Sequence, residues 1–100
     1  MDKIYNNGRV FSISNYSLGL KNGSFITFSK NGQYIEKGEY KNNLEDGLWL
    51  RFFENGTINY KGKFINGKKT GVWEFYSSNG MKYNEFSGIY KNGNKISKDL

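Results

Sequence analysis

The segment GVWEFYSSNGMKYNEF, residues 71–86, contains the signals that decide the fold. Two runs rich in β-branched and aromatic residues flank Asn79-Gly80, and an Asn-Gly pair between such runs is the strongest short hairpin signal in a sequence. Because Asn and Gly both tolerate positive φ, the pair predicts a type I′ turn. The segment therefore predicts a β-hairpin.

The same hairpin signal recurs along the chain at a constant interval of 24 residues. The Asn-Gly pairs lie at 7–8, 31–32, 55–56 and 79–80, the Gly-x-aromatic motifs at 23–25, 47–49 and 71–73, and a third column of aromatics at Tyr16, Tyr40 and Phe64. In the fourth copy this third column falls at Tyr90, which indicates a two-residue insertion within residues 82–87. A fixed period of this length is typical of repeat proteins.

The repeat predicts an all-β fold, in which tandem antiparallel β-hairpins form an elongated single-layer meander sheet of about eight strands. We expect one repeat domain over residues 1–100, with copies at about 1–22, 23–46, 47–70 and 71–100. A second set of turn residues, such as 65–71, joins one hairpin to the next. The last copy stops before its aromatic position, as terminal repeats that cap a stack commonly do.

Strand alternation assigns side chains to two faces of this sheet. One face is expected to carry Trp49, Arg51 and Phe53, and the other Leu48, Leu50 and Phe52, so that both faces carry rings. A glycine within a strand leaves a shallow groove that a neighbouring ring can cover. We therefore expect Trp49 and Trp73 to lie over such glycines, with rings from successive copies forming a ladder.

The amino-acid composition excludes most kinds of catalytic site, since the 100 residues contain no Cys and no His. Disulfides, thiolate nucleophiles, imidazole bases and the usual zinc ligands are therefore missing. Glu36 and Glu39 lie at positions that alternate across a strand, so they cannot form a glycosidase carboxylate pair. We expect no enzymatic activity, no catalytic residue, no cofactor and no metal site.

Charge and hydropathy suggest a cytoplasmic protein with a basic C-terminal half. No apolar run has the length of a signal peptide or a membrane span. Residues 1–54 carry seven Lys/Arg and six Asp/Glu, whereas residues 55–100 carry eight and three. Such asymmetry can attract an acidic protein, a nucleic acid or an anionic lipid surface, but a soluble Lys-rich surface is the favoured explanation.

The repeat resembles the MORN-repeat variant, the form found in bacterial YwqK-like antitoxin-family proteins. The resemblance is carried by the following motifs: Gly71-Val72-Trp73, Tyr76, Asn79-Gly80, Gly62-Lys63-Phe64 and Asn66-Gly67-Lys68. It implies an elongated single-layer sheet that serves as a binding surface, with links in the family to protein scaffolding, phospholipid contact and toxin neutralisation. Departures occur between copies, and Glu45-Asp46 stands where another copy has Lys68-Lys69. Such differences suit one particular partner better than a repeating ligand.

These observations favour a protein-binding module of the antitoxin, immunity or inhibitor kind, whose partner is a toxin or effector with an acidic surface. The candidate contact residues are basic residues and aromatic rings, most of them outside the repeating columns: Phe53, Tyr60, Lys61, Lys63, Lys68, Lys69, Phe75 and Tyr83. The alternative is a scaffold or membrane-surface array, in which copies associate through their edge strands. Nucleic-acid binding is the weaker interpretation, because most rings recur at the structural period.

Overall fold

The computed structural model describes residues 3–4 and 10–98, which form an all-β meander. The described residues form nine strands: β1 Lys3–Ile4, β2 Val10–Ser17, β3 Leu20–Phe28, β4 Tyr34–Lys41, β5 Leu44–Phe52, β6 Ile58–Ile65, β7 Lys68–Phe75, β8 Gly88–Lys91 and β9 Asn94–Ser97. Each strand pairs in antiparallel fashion with the next along the chain. The predicted hairpin meander is confirmed, with eight strands of four or more residues and the two-residue β1 at one edge.

The sheet is a single layer with principal extents of 43 × 36 × 12 Å. All nine strands of the described residues belong to one sheet in chain order, so no second sheet packs on it. Trp49 and Trp73 are the buried hydrophobic residues of the described chain, exposed by 3% and 1%. The core therefore lies on one face of the sheet, which we call the ring face, and we call the opposite face the open face.

Two-residue turns join β2 to β3, β4 to β5, β6 to β7 and β8 to β9. All four turns lie at the same ends of the strands, and we call this side of the sheet the turn edge. These turns are Leu18-Gly19, Asn42-Asn43, Asn66-Gly67 and Asn92-Gly93, and φ is positive at both residues of each. Positive φ at both central residues is what a type I′ turn requires. The type I′ geometry therefore belongs to the second set of turn residues.

The Asn-Gly pairs at 31–32, 55–56 and 79–80 lie in loops at the opposite end of the sheet, and only the glycine of each pair has positive φ. The Gly56 N–H donates to the Phe53 carbonyl at 2.9 Å, and the Phe53 N–H donates to the Thr57 carbonyl at 2.8 Å, which closes a three-residue loop. The predicted hairpins are confirmed here, but the type I′ geometry is wrong, because a three-residue loop places positive φ on its last residue alone. The pair Asn7-Gly8 lies outside the described residues.

Successive copies are also joined by backbone hydrogen bonds along the turn edge. The N–H of Asn43 donates to the Lys21 carbonyl at 2.9 Å, and the N–H of Gly67 donates to the Glu45 carbonyl at 2.8 Å. Both bonds span 22 residues, whereas the equivalent bond from Gly93 to Lys69 spans 24. This difference confirms the two-residue insertion in the last copy, which forms a turn before β8.

Candidate binding surface

The ring face is built on two tryptophans that lie over glycines of the preceding strand. A Cβ atom added to Gly38 would fall 2.1 Å from the Trp49 ring, and one added to Gly62 would fall 2.1 Å from the Trp73 ring. Each indole N–H donates to the backbone carbonyl of the residue after its glycine, at 3.0 and 2.9 Å. The expected packing of Trp over Gly is confirmed, and only glycine fits beneath these rings.

The rings form a continuous row from one copy to the next. The Trp49 centroid lies 5.2 Å from Tyr40 and 6.1 Å from Phe64, and the Trp73 centroid lies 4.9 Å from Phe64 and 6.4 Å from Tyr90. Interplanar angles in these four pairs run from 64° to 88°, so the rings meet edge to face. The expected ladder therefore exists, but its rings are inclined to one another and not stacked in parallel.

Two candidate contact rings, Tyr60 and Phe75, pack within this face. Their centroids lie 5.7 and 5.8 Å from that of Trp73. The Tyr60 hydroxyl donates to Glu36 Oε2 at 2.5 Å, and Glu36 is also 3.7 Å from the Arg51 guanidinium. Burial, followed by the hydrogen bond and charge of Glu36, raises the pKa of Tyr60 well above its ordinary value. Both rings are thus committed to internal contacts.

A third candidate, Lys69, covers the row of rings from above. Its Nζ atom lies 5.9 Å from the Phe64 centroid, 5.4 Å from that of Trp73 and 5.9 Å from that of Tyr90. Lys21, at the equivalent position of an earlier copy, lies 4.9 Å from the Tyr40 centroid. These are cation–π distances, so the lysine charge is held against its own sheet.

The open face carries aliphatic side chains and two further candidates, Lys61 and Lys63. Leu48 and Val72 are 53% and 43% exposed, and half-buried Leu50 lies beside them. In the register of the sheet, Leu48 lies opposite Lys63 and Leu50 lies opposite Lys61. Cross-strand partners share one face, so the lysines and the aliphatic residues form a single surface.

The two open-face lysines differ in their ionic partners. Lys61 Nζ lies 3.7 Å from Glu74, which also pairs with Lys82 at 3.6 Å and accepts a hydrogen bond from the Tyr76 hydroxyl at 2.9 Å. That hydrogen bond, assisted by the two lysines, holds the pKa of Glu74 below its usual value. Within residues 3–4 and 10–98, Lys63 takes part in no ion pair, so its charge is available to a partner.

The remaining candidates lie at the margins of the sheet. Lys68 is exposed beside the Asn66-Gly67 turn, Phe53 is half-buried in a loop, and Tyr83 is 50% exposed in the insertion of the last copy. The centroid of the Tyr83 ring lies 6.4 Å from that of Phe86, and the two rings meet edge to face. The structure therefore groups Lys61, Lys63 and Lys68 on or beside the open face, and it separates them from Tyr60, Lys69 and Phe75.

Sequence reasoning did not name the aliphatic centre of the open face. Leu48 and Leu50 were assigned to the correct face by alternation, but Val72 carried no signal of its own, since it lies between the motif residues Gly71 and Trp73. What exposes these side chains is the single-layer architecture, in which nothing in the described chain covers this face. The sequence predicts about eight strands in one sheet and no further strands or helices that could pack on that sheet. This was the available signal that one face would stay exposed.

Two stretches of the chain, residues 21–42 and 45–66, match the model of the MORN repeat variant. The matched stretches cover β3 with β4 and β5 with β6, so each match is one hairpin of the meander. A search of curated proteins found no match. Within the part of the chain that the structure describes, no helix is long and apolar enough to cross a membrane.

Proposed function

We propose that this chain, with its MORN repeats, is a non-catalytic protein-binding module of the antitoxin, immunity or inhibitor kind, which blocks a partner by covering it with the open face. MORN repeats are general repeat modules that often bind proteins or membranes. The observation that supports a protein partner is the pair of exposed aliphatic side chains, Leu48 and Val72, on a sheet one layer thick. Protein interfaces bury an apolar centre of this kind within a polar rim.

The chemistry of the partner follows from the rim of this surface. Lys61 and Lys63 stand beside the aliphatic centre, and exposed Lys68 lies on the same strand as Val72. Complementary charge favours an acidic partner surface, and it speeds association more than it tightens the complex. Blocking a partner requires shape and charge but no chemical step, which suits a chain without His or Cys.

Capture from a lysate of the native host tests the proposal. The tagged chain is expected to retain a protein in stoichiometric amount, and the double variant Leu48→Glu/Val72→Glu is expected to lose it. Leu18→Glu serves as the matched control, because Leu18 is 100% exposed at the turn edge and lies away from the aliphatic centre. Thermal melting of each variant checks that its sheet is intact.

Two results would contradict the proposal. Retention of anionic vesicles or RNA, without any stoichiometric protein, would assign the lysines to a phosphate-bearing ligand. Equal capture by the open-face variant and the wild-type chain would show that a partner exists but binds elsewhere. The membrane alternative makes a distinct prediction, since binding to anionic vesicles weakens as salt rises.

A scaffold is the second candidate function, and the open ends of the sheet favour it. The strand order ends at β9, Asn94–Ser97, which pairs on one side with β8 and is followed by no further strand in the described residues. Such an edge is a template for pairing with another chain. Light scattering over a range of protein and salt concentrations separates the two candidates, since a growing polymer supports the scaffold and a monomer supports the blocking module.

A further inference from the structure

Charged side chains on the open face form two rows that run across strands β4 to β7. In the row nearer the turn edge, Glu39 on β4 lies directly opposite Asp46 on β5. Lys63 on β6 and Lys68 on β7 continue this row, because Lys63 alternates with Ile65 and Ile65 lies opposite Lys68. The turn-edge row, as we call it, is therefore acidic at its β4 end and basic at its β7 end.

The second row lies farther from the turn edge and has the reverse polarity. It begins on β4 with Lys37, which lines one groove with Glu39 and Leu50. In the register of the sheet, Lys37 lies opposite Leu50 and Leu50 lies opposite Lys61. Lys61 lies opposite Glu74, so this row has a cation at its β4 end and an anion at its β7 end.

The turn-edge row lacks internal ionic partners. Within residues 3–4 and 10–98, none of its four charged side chains takes part in an ion pair. Like charges directly opposite each other repel, so Glu39 and Asp46 disfavour each other unless a cation reaches them from outside. In the second row, by contrast, Glu74 takes part in two ion pairs, and Lys37 Nζ lies 4.4 Å from the Tyr34 centroid. The turn-edge row is therefore where an occupant of this face gains most by supplying charge.

A two-fold axis that runs along the strands between β5 and β6 makes this face complementary to itself. Rotation about the axis exchanges β5 with β6 and β4 with β7, and it keeps each row at its own level. In the turn-edge row, Glu39 of one copy then faces Lys68 of the second copy. In the second row, Lys37 faces Glu74 of the second copy. Both rows match under one rotation, because each carries opposite charges at its two ends.

Next to this axis, β5 of one copy lies over β6 of the other. Leu48 and Leu50 take the same levels as Lys63 and Lys61, so each leucine meets a lysine stem of the second copy. Lysine stems cover apolar surface while their ammonium groups reach a polar partner. Asp46, two residues before Leu48, supplies such a partner for Lys63. The sheet measures 43 × 36 Å in its two larger dimensions, which accommodates the ~800 Å² per partner that a standard interface buries.

We infer that a second copy of this chain covers the open face in a closed two-fold dimer. The occupant is a second copy because one axis brings opposite charges together in both rows and places the aliphatic centre at the middle of the contact. The contact uses the open face of both copies, so assembly stops at two chains, unlike the growing polymer of a scaffold. Below the dissociation constant of the dimer, the face is released and the chain meets another partner as a monomer.

Analytical ultracentrifugation of the purified full chain tests the inference without any other ligand. We expect an equilibrium between monomer and dimer with no larger species, and a dimer that weakens as salt screens its charges. In NMR spectra over the same concentrations, the methyl signals of Leu48 and Val72 are expected to shift. Those of Leu18, which is 100% exposed at the turn edge, are expected to stay in place. A monomer at every concentration, a growing polymer, or a dimer that leaves the Leu48 and Val72 signals unchanged would each overturn the inference.

Exchange of charges in the turn-edge row gives two complementary variants. Glu39→Lys/Asp46→Lys leaves only lysines in the row, and Lys63→Glu/Lys68→Glu leaves only carboxylates. Each variant alone is expected to dimerise about tenfold more weakly or worse, which is 1.4 kcal/mol or more, because like charges face each other. An equimolar mixture is expected to restore the dimer as a heterodimer, since every contact of the row then joins opposite charges. A mixture that stays monomeric would overturn the inference.

The matched control for net charge is Glu54→Lys/Glu85→Lys. Both residues are exposed in loops away from the turn edge, and the double substitution changes the net charge by the same amount as Glu39→Lys/Asp46→Lys. The control is expected to dimerise much as the wild type does. Equal weakening of the dimer in both variants would assign the effect to net charge and overturn the inference. Thermal melting of each variant checks that its sheet is intact.

The dimer and the proposed binding of another protein fail separately. A wild-type chain that stays monomeric yet captures a host protein overturns the dimer and leaves the proposed function intact. A dimer that passes the charge exchange, from a chain that captures no host protein, supports the inference and overturns the proposed function.

Discussion

The ring face and the open face of this sheet use similar amounts of chain but have opposite roles. On the ring face, Trp49 and Trp73 are almost completely buried and their indole nitrogens are hydrogen-bonded to backbone carbonyls. On the open face, Leu48 and Val72 remain about half exposed. The difference teaches that a single-layer sheet can place nearly all of its packing energy on one face. The other face can then vary in sequence with little loss of packing energy.

The largest expected effect comes from removing one side chain from each face. Trp73→Ala is expected to cost about 3–5 kcal/mol in the free energy of unfolding, the usual range for a buried Trp. Leu48→Ala on the open face is expected to change stability by about 0.5 kcal/mol or less, as exposed substitutions do. Chemical denaturation of the two variants measures both values. Similar losses for both substitutions would show that the open face carries packing energy as well.

A second test uses the first copy, where Ser14 and Phe25 stand in place of the glycine and the tryptophan. Gly62→Ser is expected to cost about 1–3 kcal/mol, because its Cβ would fall 2.1 Å from the Trp73 ring and overpack the face. Combining it with Trp73→Phe recreates the pairing of the first copy. The double variant is expected to be less destabilised than the sum of the single variants. Strict additivity in this double-mutant cycle would mean that the glycine and the ring act independently.

A third test concerns the polar end of the ring face. Tyr60→Phe removes the hydroxyl that donates to Glu36 at 2.5 Å while leaving the ring against Trp73. A loss of about 1 kcal/mol is expected, the net value of a typical hydrogen bond. Tyr83→Phe is the matched control, since Tyr83 is half exposed, and its expected change is near zero. Equal behaviour of the two variants would argue that Glu36 gains nothing from Tyr60.

The smallest expected effect lies on the open face and depends on pH. Because the pKa of Glu74 is lowered in the folded state, the ionised carboxylate contributes stability above its unfolded pKa, and this contribution is lost as pH falls through the folded pKa. Glu74→Gln is therefore expected to cost about 1 kcal/mol or less at neutral pH and to approach the wild type at an acidic pH below the folded pKa of Glu74. Unfolding free energies at the two pH values measure the change. A cost that is constant with pH would assign the effect to packing and not to charge.

Much of the fold was predictable from the repeat, because equivalent positions must satisfy the same geometry in every copy. The meander, the two-residue insertion and the packing of Trp49 and Trp73 over glycines followed from spacing alone. The turn types were not predictable in the same way. An Asn-Gly pair tolerates positive φ at either residue, so the length of the loop around it decides which residue adopts it.

The candidate site was less accessible to sequence reasoning than the fold. Tyr60 and Phe75 looked free because they lie outside the repeating columns, yet both pack against Trp73. Lys69 looked like a free surface charge, yet it lies over three rings. Their partners come from other strands, and one strand read by itself does not show them. Their contribution to partner binding stays a prediction.

By itself, the sequence determined the period, the meander of hairpins, the alternation of side chains between two faces and the difference between Glu45-Asp46 and Lys68-Lys69 in successive copies. These features depend on spacing and alternation, which are local properties of a β-chain. Only the tertiary structure decided which glycine lies under which tryptophan, which rings contact one another across strands, and which aliphatic side chains remain exposed on the open face. Such contacts join neighbouring copies across strands, and they exist only once the copies are aligned in one sheet.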